Sequence, residues 1–177
     1  MKRQFLYLGL AVFILTMGTT NVAVAQPPLD IEAHAQFNLG WPGPQTDVPD
    51  WVGTVTIGSQ TYGIAWFNIG SGKSFENAGN SHAASFFEEI WRIYDTINFH
   101  FDSNGVLDSF HPGNIVITGN DQGVVSFPNS AYRMNGVVQD AQGSFSVYIG
   151  HTVHMSGTIT WWDNGAPLYA DGPIRIN

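Results

Sequence analysis

The residues that could carry chemistry fall mainly on one stretch. If 88–101 is a single strand, Glu89, Trp91, Ile93, Asp95, Ile97, Phe99 and Phe101 share a face, because strand side chains alternate with a period of two. Asp95 then sits between Ile93 and Ile97 on the face turned inward. A carboxyl in an apolar lining keeps its proton to higher pH, which is how a general acid or base is tuned. It can equally anchor a ligand hydroxyl. Asp95 and Glu89 are therefore the candidate acid/base residues. The bland alternatives for Asp95 are a pair with an internal Arg, a bulge that ends the strand, or an exposed position on a helix. Buried acids are more often structurally satisfied than catalytic.

Other side chains supply candidate ligand contacts. Arg133, next to Tyr132, could answer an interior carboxylate or an anionic ligand, or simply face solvent. His100 and His154 lie near turns and could offer a switchable proton or sit on the rim. Six Trp, six Tyr and twelve Phe first fill a core. Trp91 belongs to the inward face above, and Trp161-Trp162 point to opposite sides of a strand, so one of them can line a cleft or stack on a sugar.

Three metal- or phosphate-binding patterns fail on spacing. Gly70-Ser71-Gly72-Lys73-Ser74 lacks the leading glycine of a phosphate loop, since Phe67 stands there, and reads as a hairpin loop. His151 and His154 are three apart and face opposite sides of a strand, so they do not share an ion. Asp102-Ser103-Asn104-Gly105 has Leu107 and Gly113 where a calcium loop needs Gly and Glu. No metal and no cofactor is expected. No Gly-x-Ser-x-Gly elbow exists either.

Composition bounds the rest. The chain has 177 residues, 44% of them hydrophobic and 11% charged, with no cysteine and a net charge of −8. That excludes a disordered chain, a disulfide scaffold and thiolate chemistry. An acidic surface also repels nucleic acid. Residues 1–25 read as a secretory signal peptide: Lys2 and Arg3, an apolar run from Phe5 to Met17, then Ala23-Val24-Ala25 before the cut. The alternative is an uncleaved anchor helix. Cleavage would leave four basic residues against 14 acids and no membrane span in the mature chain, so export to the periplasm or the outside is expected.

The positioning elements are strands. Residues 26–50 form a Pro-rich leading segment in which Ile31, Ala33, Ala35, Phe37 and Leu39 alternate as a first strand. Residues 51–177 form a single domain. Thr54–Ile57 and Thr61–Phe67 pair across Gly58-Ser59-Gln60, and Asp102–Gly105 joins Ile97–Phe101 to Val106–Phe110. Asn120-Asp121-Gln122-Gly123 reads as another hairpin loop, Phe145–Ile149 as a strand, and Asn164-Gly165 as a turn. A short helix is expected near 81–87, with a strand from about Glu88 to Phe101. Glycines open several strands, which suits bulges and bends in a curling sheet. The expectation is an all-β, antiparallel β-barrel of eight to ten short strands, with a β-sandwich as the alternative.

The stretch from Gly123-Val124-Val125-Ser126-Phe127 through Gly136-Val137-Val138-Gln139 and Phe145–Gly150 to Ser156–Trp161 resembles the glycine-punctuated meander of calycin-type and allene oxide cyclase-like barrels. The resemblance covers the last third of the chain and is architectural. The lipocalin Gly-x-Trp is missing: Leu39 and Pro49 precede Trp41 and Trp51 by two. The resemblance implies binding or cyclisation of small lipophilic molecules inside the barrel, with no catalytic residue carried over. The leading expectation is thus an exported barrel binding a small, partly apolar ligand. The alternatives are a barrel isomerase or cyclase using Asp95 or Glu89, and a carbohydrate-binding sandwich using Trp161, Trp162 and Tyr148. An outer-membrane barrel fits the size but is disfavoured by the short strands and the polar Asn177 terminus.

Overall fold

The computed structural model describes residues 26–70, 74–75, 84–126, 129–163 and 167–177. The expected signal peptide, the Gly70–Ser74 loop at 71–73, the start of the expected helix at 81–83 and the Asn164-Gly165 turn lie outside them.

Eleven strands are described: β1 (Leu29–Phe37), β2 (Trp51–Ile57), β3 (Gln60–Gly70), β4 (Ser74–Phe75), β5 (Ala84–Tyr94), β6 (Ile97–Phe101), β7 (Leu107–Pro112), β8 (Ile115–Ser126), β9 (Ala131–Ala141), β10 (Thr152–Trp161) and β11 (Pro167–Ile176). A 3-10 helix, Gly143–Tyr148, lies between β9 and β10. Eight strands close an antiparallel barrel in the order β3-β2-β1-β11-β10-β9-β8-β5, with β5 returning to β3. The last strand pairs with the first, Ile31 opposite Ile174. The fold is therefore the expected all-β barrel rather than a sandwich, but its strands are not the short ones expected, since six of the eight run 10–12 residues; full closure leaves no free edge in that ring.

Strand alternation divides the chain between inside and outside. The inward rows hold Ile31, Val55, Ile64, Trp91, Ile93, Ile117, Val153, Ile174 and Ile176, each at most 1% exposed. These fill one end of the barrel. The outward positions of β1 and β10 are polar, with Asp30, Glu32 and His34 on one and Thr152, His154 and Ser156 on the other.

The barrel curls where inward glycines let neighbouring backbones approach. A Cβ on Gly136 would meet the Asn120 carbonyl oxygen at 1.9 Å, and one on Gly119 would meet Trp91 Cζ2 at 2.4 Å. No side chain fits at either position, but the glycines expected to open strands lie inside them: Gly53 in β2, Gly123 in β8, Gly136 in β9 and Gly157 in β10.

Four expected elements differ, and one of them, the expected Asn120–Gly123 loop, runs through the middle of β8. The strand from Glu88 to Phe101 is two strands, broken at Asp95-Thr96. The alternating pattern was real, but its halves face different cores. Glu89, Trp91 and Ile93 point into the barrel. Ile97, Phe99 and Phe101, on the β6/β7 hairpin, pack from outside over Val52, Ala65, Phe67 and Tyr94. The expected strand at Phe145–Ile149 is the 3-10 helix, set between Gly143 (φ +58) and Gly150 (φ +83). Residues three apart eclipse in such a helix. Phe145 and Tyr148 thus both turn to the core, while Val147 and Ile149 are nearly half exposed. Residues 84–86, expected to be helical, open β5.

Candidate functional site

The opposite end of the barrel is not filled. A cavity of about 250 Å³ lies there, walled by Phe37, Trp41, Trp51, Trp66, Phe87 and Trp161 among others, with Tyr132 on one side and Asp50 and Glu89 in the lining. It has room for roughly eight waters at about 30 Å³ each. Trp161 is held in the wall by its indole N–H, which donates to Ser130 Oγ at 3.0 Å.

Polar residues form a belt at one level of this end. Asn68 on β3 pairs with Glu89 on β5, Glu89 with Asp121 on β8, and Asp121 with Gly136 on β9. The three polar side chains are buried, as is Asp50, which arrives from the segment before β2. Asn38 fixes that segment. Its backbone N–H donates to the Asp50 carbonyl at 2.7 Å, and its Nδ2 donates to the Pro49 carbonyl at 3.1 Å. Its Oδ1 accepts the N–H groups of Gly40 and Leu107, both at 3.0 Å, tying in the β6/β7 hairpin. Asp50 N–H completes the clamp by donating to the Trp66 carbonyl at 3.1 Å.

The electrostatics of the belt follow from burial. Desolvation pushes Asp50 up to about 7, against the opposing pull of its own amide, of Glu89 and of the Asn68 and Trp51 amides. Desolvation also raises Glu89 well above the usual carboxylate range, helped by the charges of Asp50 and Asp121. Burial thus keeps Glu89 protonated to higher pH than an ordinary carboxyl. Asp121 is pushed up to about 8 by desolvation, then by Asp50. Tyr132 is raised too, by desolvation and by the surrounding carboxylates. Among the described residues, Asp50 Oδ1, both Asp121 oxygens and Asn68 Oδ1 have no hydrogen-bond partner.

No protein-family model, curated protein or solved structure matches this chain. The site is therefore read from its own geometry. Two buried carboxyls lining an apolar cavity can, according to their protonation, donate a hydrogen bond, accept one, pair with a cation, or move a proton. The described residues include no group of three or more His, Asp or Glu able to hold a metal ion.

Of the residues singled out from sequence, Glu89, Tyr132 and Trp161 meet at the cavity. Trp91 is inward but deeper, fully buried in the core next to Ile93 and Ile117. The others lie outside. Asp95, expected to face inward, is exposed at the end of β5, where it accepts the Asn114 N–H and Nδ2 at 2.9 Å each. Those bonds, led by the Asn114 side chain, hold it below the usual carboxylate range. His100 is exposed and bonded to Asp108 at 2.9 Å, and His154 is exposed and bonded to Asn135 at 2.7 Å. Arg133 points outward from β9 and reaches no interior carboxylate. Tyr148 sits in the 3-10 helix at the other end, so it forms no sugar platform with Trp161.

Sequence reasoning missed Asp50 and Asp121. Asn120-Asp121-Gln122-Gly123 has the composition of a turn but runs through the middle of β8. A signal was present. Ile117, Gly119, Asp121, Gly123 and Val125 hold strict alternation, which puts Asp121 on the face of Ile117.

Proposed function

We propose that this chain is an exported β-barrel that binds a small, largely apolar ligand in the unfilled end of its interior. The observation that carries this reading is the 250 Å³ aromatic-walled cavity with two carboxyls in its lining. Such a mix, mostly apolar with few convergent polar groups, is the usual make-up of a small-molecule site. The polar outward rows of β1 and β10 support a barrel that faces water. Calycin-like descent would fit the same reading.

A ligand of about ten non-hydrogen atoms would suit this volume. At roughly 0.6 kcal/mol per atom the affinity would be about −6 kcal/mol, a Kd near 40 µM. Native mass spectrometry of the exported protein, purified without detergent, tests the reading together with tryptophan fluorescence titration. A ligand adduct on a chain starting at Gln26, or saturable quenching by small aromatic probes, is expected. A bare chain with no fluorescence response to any probe would sink it.

A second reading is a proton-transferring isomerase or cyclase. It is favoured by Asp50 and Glu89, which both line the cavity and whose carboxyls burial holds above the usual range. Under that reading Asp50→Asn abolishes turnover. Under the first it alters affinity alone.

A further inference from the structure

We propose that the cavity takes an organic ammonium: a protonated amine on a small apolar body, its charge seated against Asp50 and Glu89. This rests on the reading that the cavity binds a ligand and goes further by naming the ligand's charge.

The argument begins with an imbalance. Three carboxyls, Asp50, Glu89 and Asp121, are buried at one level of the barrel, 1%, 6% and 5% exposed. A buried carboxylate is costly unless paired. The basic residues described are all elsewhere. The Arg92 guanidinium lies 4.3 Å over the Phe67 ring, in the cluster on the outside of the barrel. Arg133 is exposed, and Arg175 is exposed with Nη1 3.4 Å from Asp30. No described cation answers the acids.

Asp50 adds an independent observation. Asp50 is among the lining residues, and its Oδ1 is buried with no hydrogen-bond partner among the described residues. A ligand N–H that reached this carboxyl would supply the donor that the wall lacks. An anionic ligand would be repelled, and a purely apolar one would leave the oxygen unpaired.

The walls suit the same ligand. Trp41, Trp51, Trp66 and Trp161 line a space that accepts an apolar body, and an indole is the best aromatic partner for a cation. The net charge of −8 raises the local concentration of cations generally.

The titratable groups lining the cavity are Asp50 from the segment before β2, Glu89 from β5 and Tyr132 from β9, with Asp121 of β8 paired to Glu89 but outside the lining. The lining residues from β1, β2, β3, β10 and β11 are not titratable. Asp171 and Glu32 act on Tyr132 at longer range. The free cluster holds protons through neutrality, so an ammonium must displace part of that protonation. Binding should strengthen as pH rises from 5 to 8, with proton release.

Isothermal titration of the full exported protein with 2-phenylethylamine and its neutral isostere 2-phenylethanol tests this, from pH 5 to 8 in two buffers of different ionisation enthalpy. The amine should bind about tenfold or more tighter than the alcohol at pH 8, tighten with pH and release protons. Asp50→Asn should weaken the amine by about tenfold and the alcohol by less than about twofold. If that variant does not fold, the wild-type pH profile and the isostere comparison still decide. An alcohol that binds as tightly as the amine at every pH overturns the ammonium and leaves the cavity reading standing. An amine preference that survives in folded Asp50→Asn overturns the assigned seat. Failure of both probes to bind overturns both readings.

Discussion

The buried acids should give this protein an unusual stability profile against pH. Asp50 and Asp121 are raised from about 3.8 to about 7 and about 8 on folding. Between those limits the folded chain holds protons that the unfolded chain has released. Their contribution is fully present below about pH 4 and is lost as pH rises through 7 and 8. One retained proton gives a slope of about 1.4 kcal/mol per pH unit, so from pH 5 to 7 the loss is about 2.7 kcal/mol, and twice that for two protons; Glu89, raised as well, steepens the slope further. At about 2–4 °C per kcal/mol, Tm should fall by roughly 5–11 °C for one proton over that interval. Asp95 and Asp102 act the other way, because hydrogen bonds hold both below the usual carboxylate range. Their contribution is present above about pH 4 and is lost as pH falls further, so it does not enter the window. Urea denaturation at half-unit steps from pH 4.5 to 8.5 measures the slope, with Asp121→Asn as the partner experiment. The variant should show a shallower slope, whatever its absolute stability. A wild-type stability that is flat or rising between pH 5 and 7, or an Asp121→Asn slope equal to wild type, would refute the reasoning that these acids are buried and unpaired.

Gly119→Ala places a Cβ 2.3 Å from the Val137 carbonyl oxygen and 2.4 Å from Trp91 Cζ2. Neither partner is free to retreat, and a loss of about 2–3 kcal/mol is expected in urea unfolding. Asn38→Ala removes three side-chain hydrogen bonds that tie Pro49, Gly40 and Leu107 together, for about 3 kcal/mol by the same assay. Because Asn38 also fixes the segment carrying Asp50, ligand affinity should fall with it in fluorescence titration. Asp95→Asn, at the end of the barrel away from the cavity, should leave ligand affinity within about twofold in that titration.

Much of the architecture was legible because alternation is a local property. Ile31 to Phe37, Thr54 to Ile57 and Thr158 to Trp161 each announce a strand with one dry face, and glycines mark where such strands must bend. Glu89 could be placed inward from its neighbours Trp91 and Ile93 alone. Alternation also misled where two cores exist. It carried the pattern across Asp95, because Ile97 and Phe99 are as apolar as Ile93 although they cover the outside of the barrel. It suggested a strand at Phe145–Ile149, where a 3-10 helix buries residues three apart instead.

The sequence by itself determined an acidic, cysteine-free, all-β chain whose strands each have one buried face. Only the tertiary structure decided which carboxyls meet. Asp50, Glu89 and Asp121 are 39 and 32 residues apart in sequence and come together only when β5 pairs with β8 and the segment before β2 folds over them. Period-two patterning tells each strand which face to bury. Barrel closure sets which strands become neighbours and where the interior stays unfilled, and those long-range pairings leave no mark within any one local window.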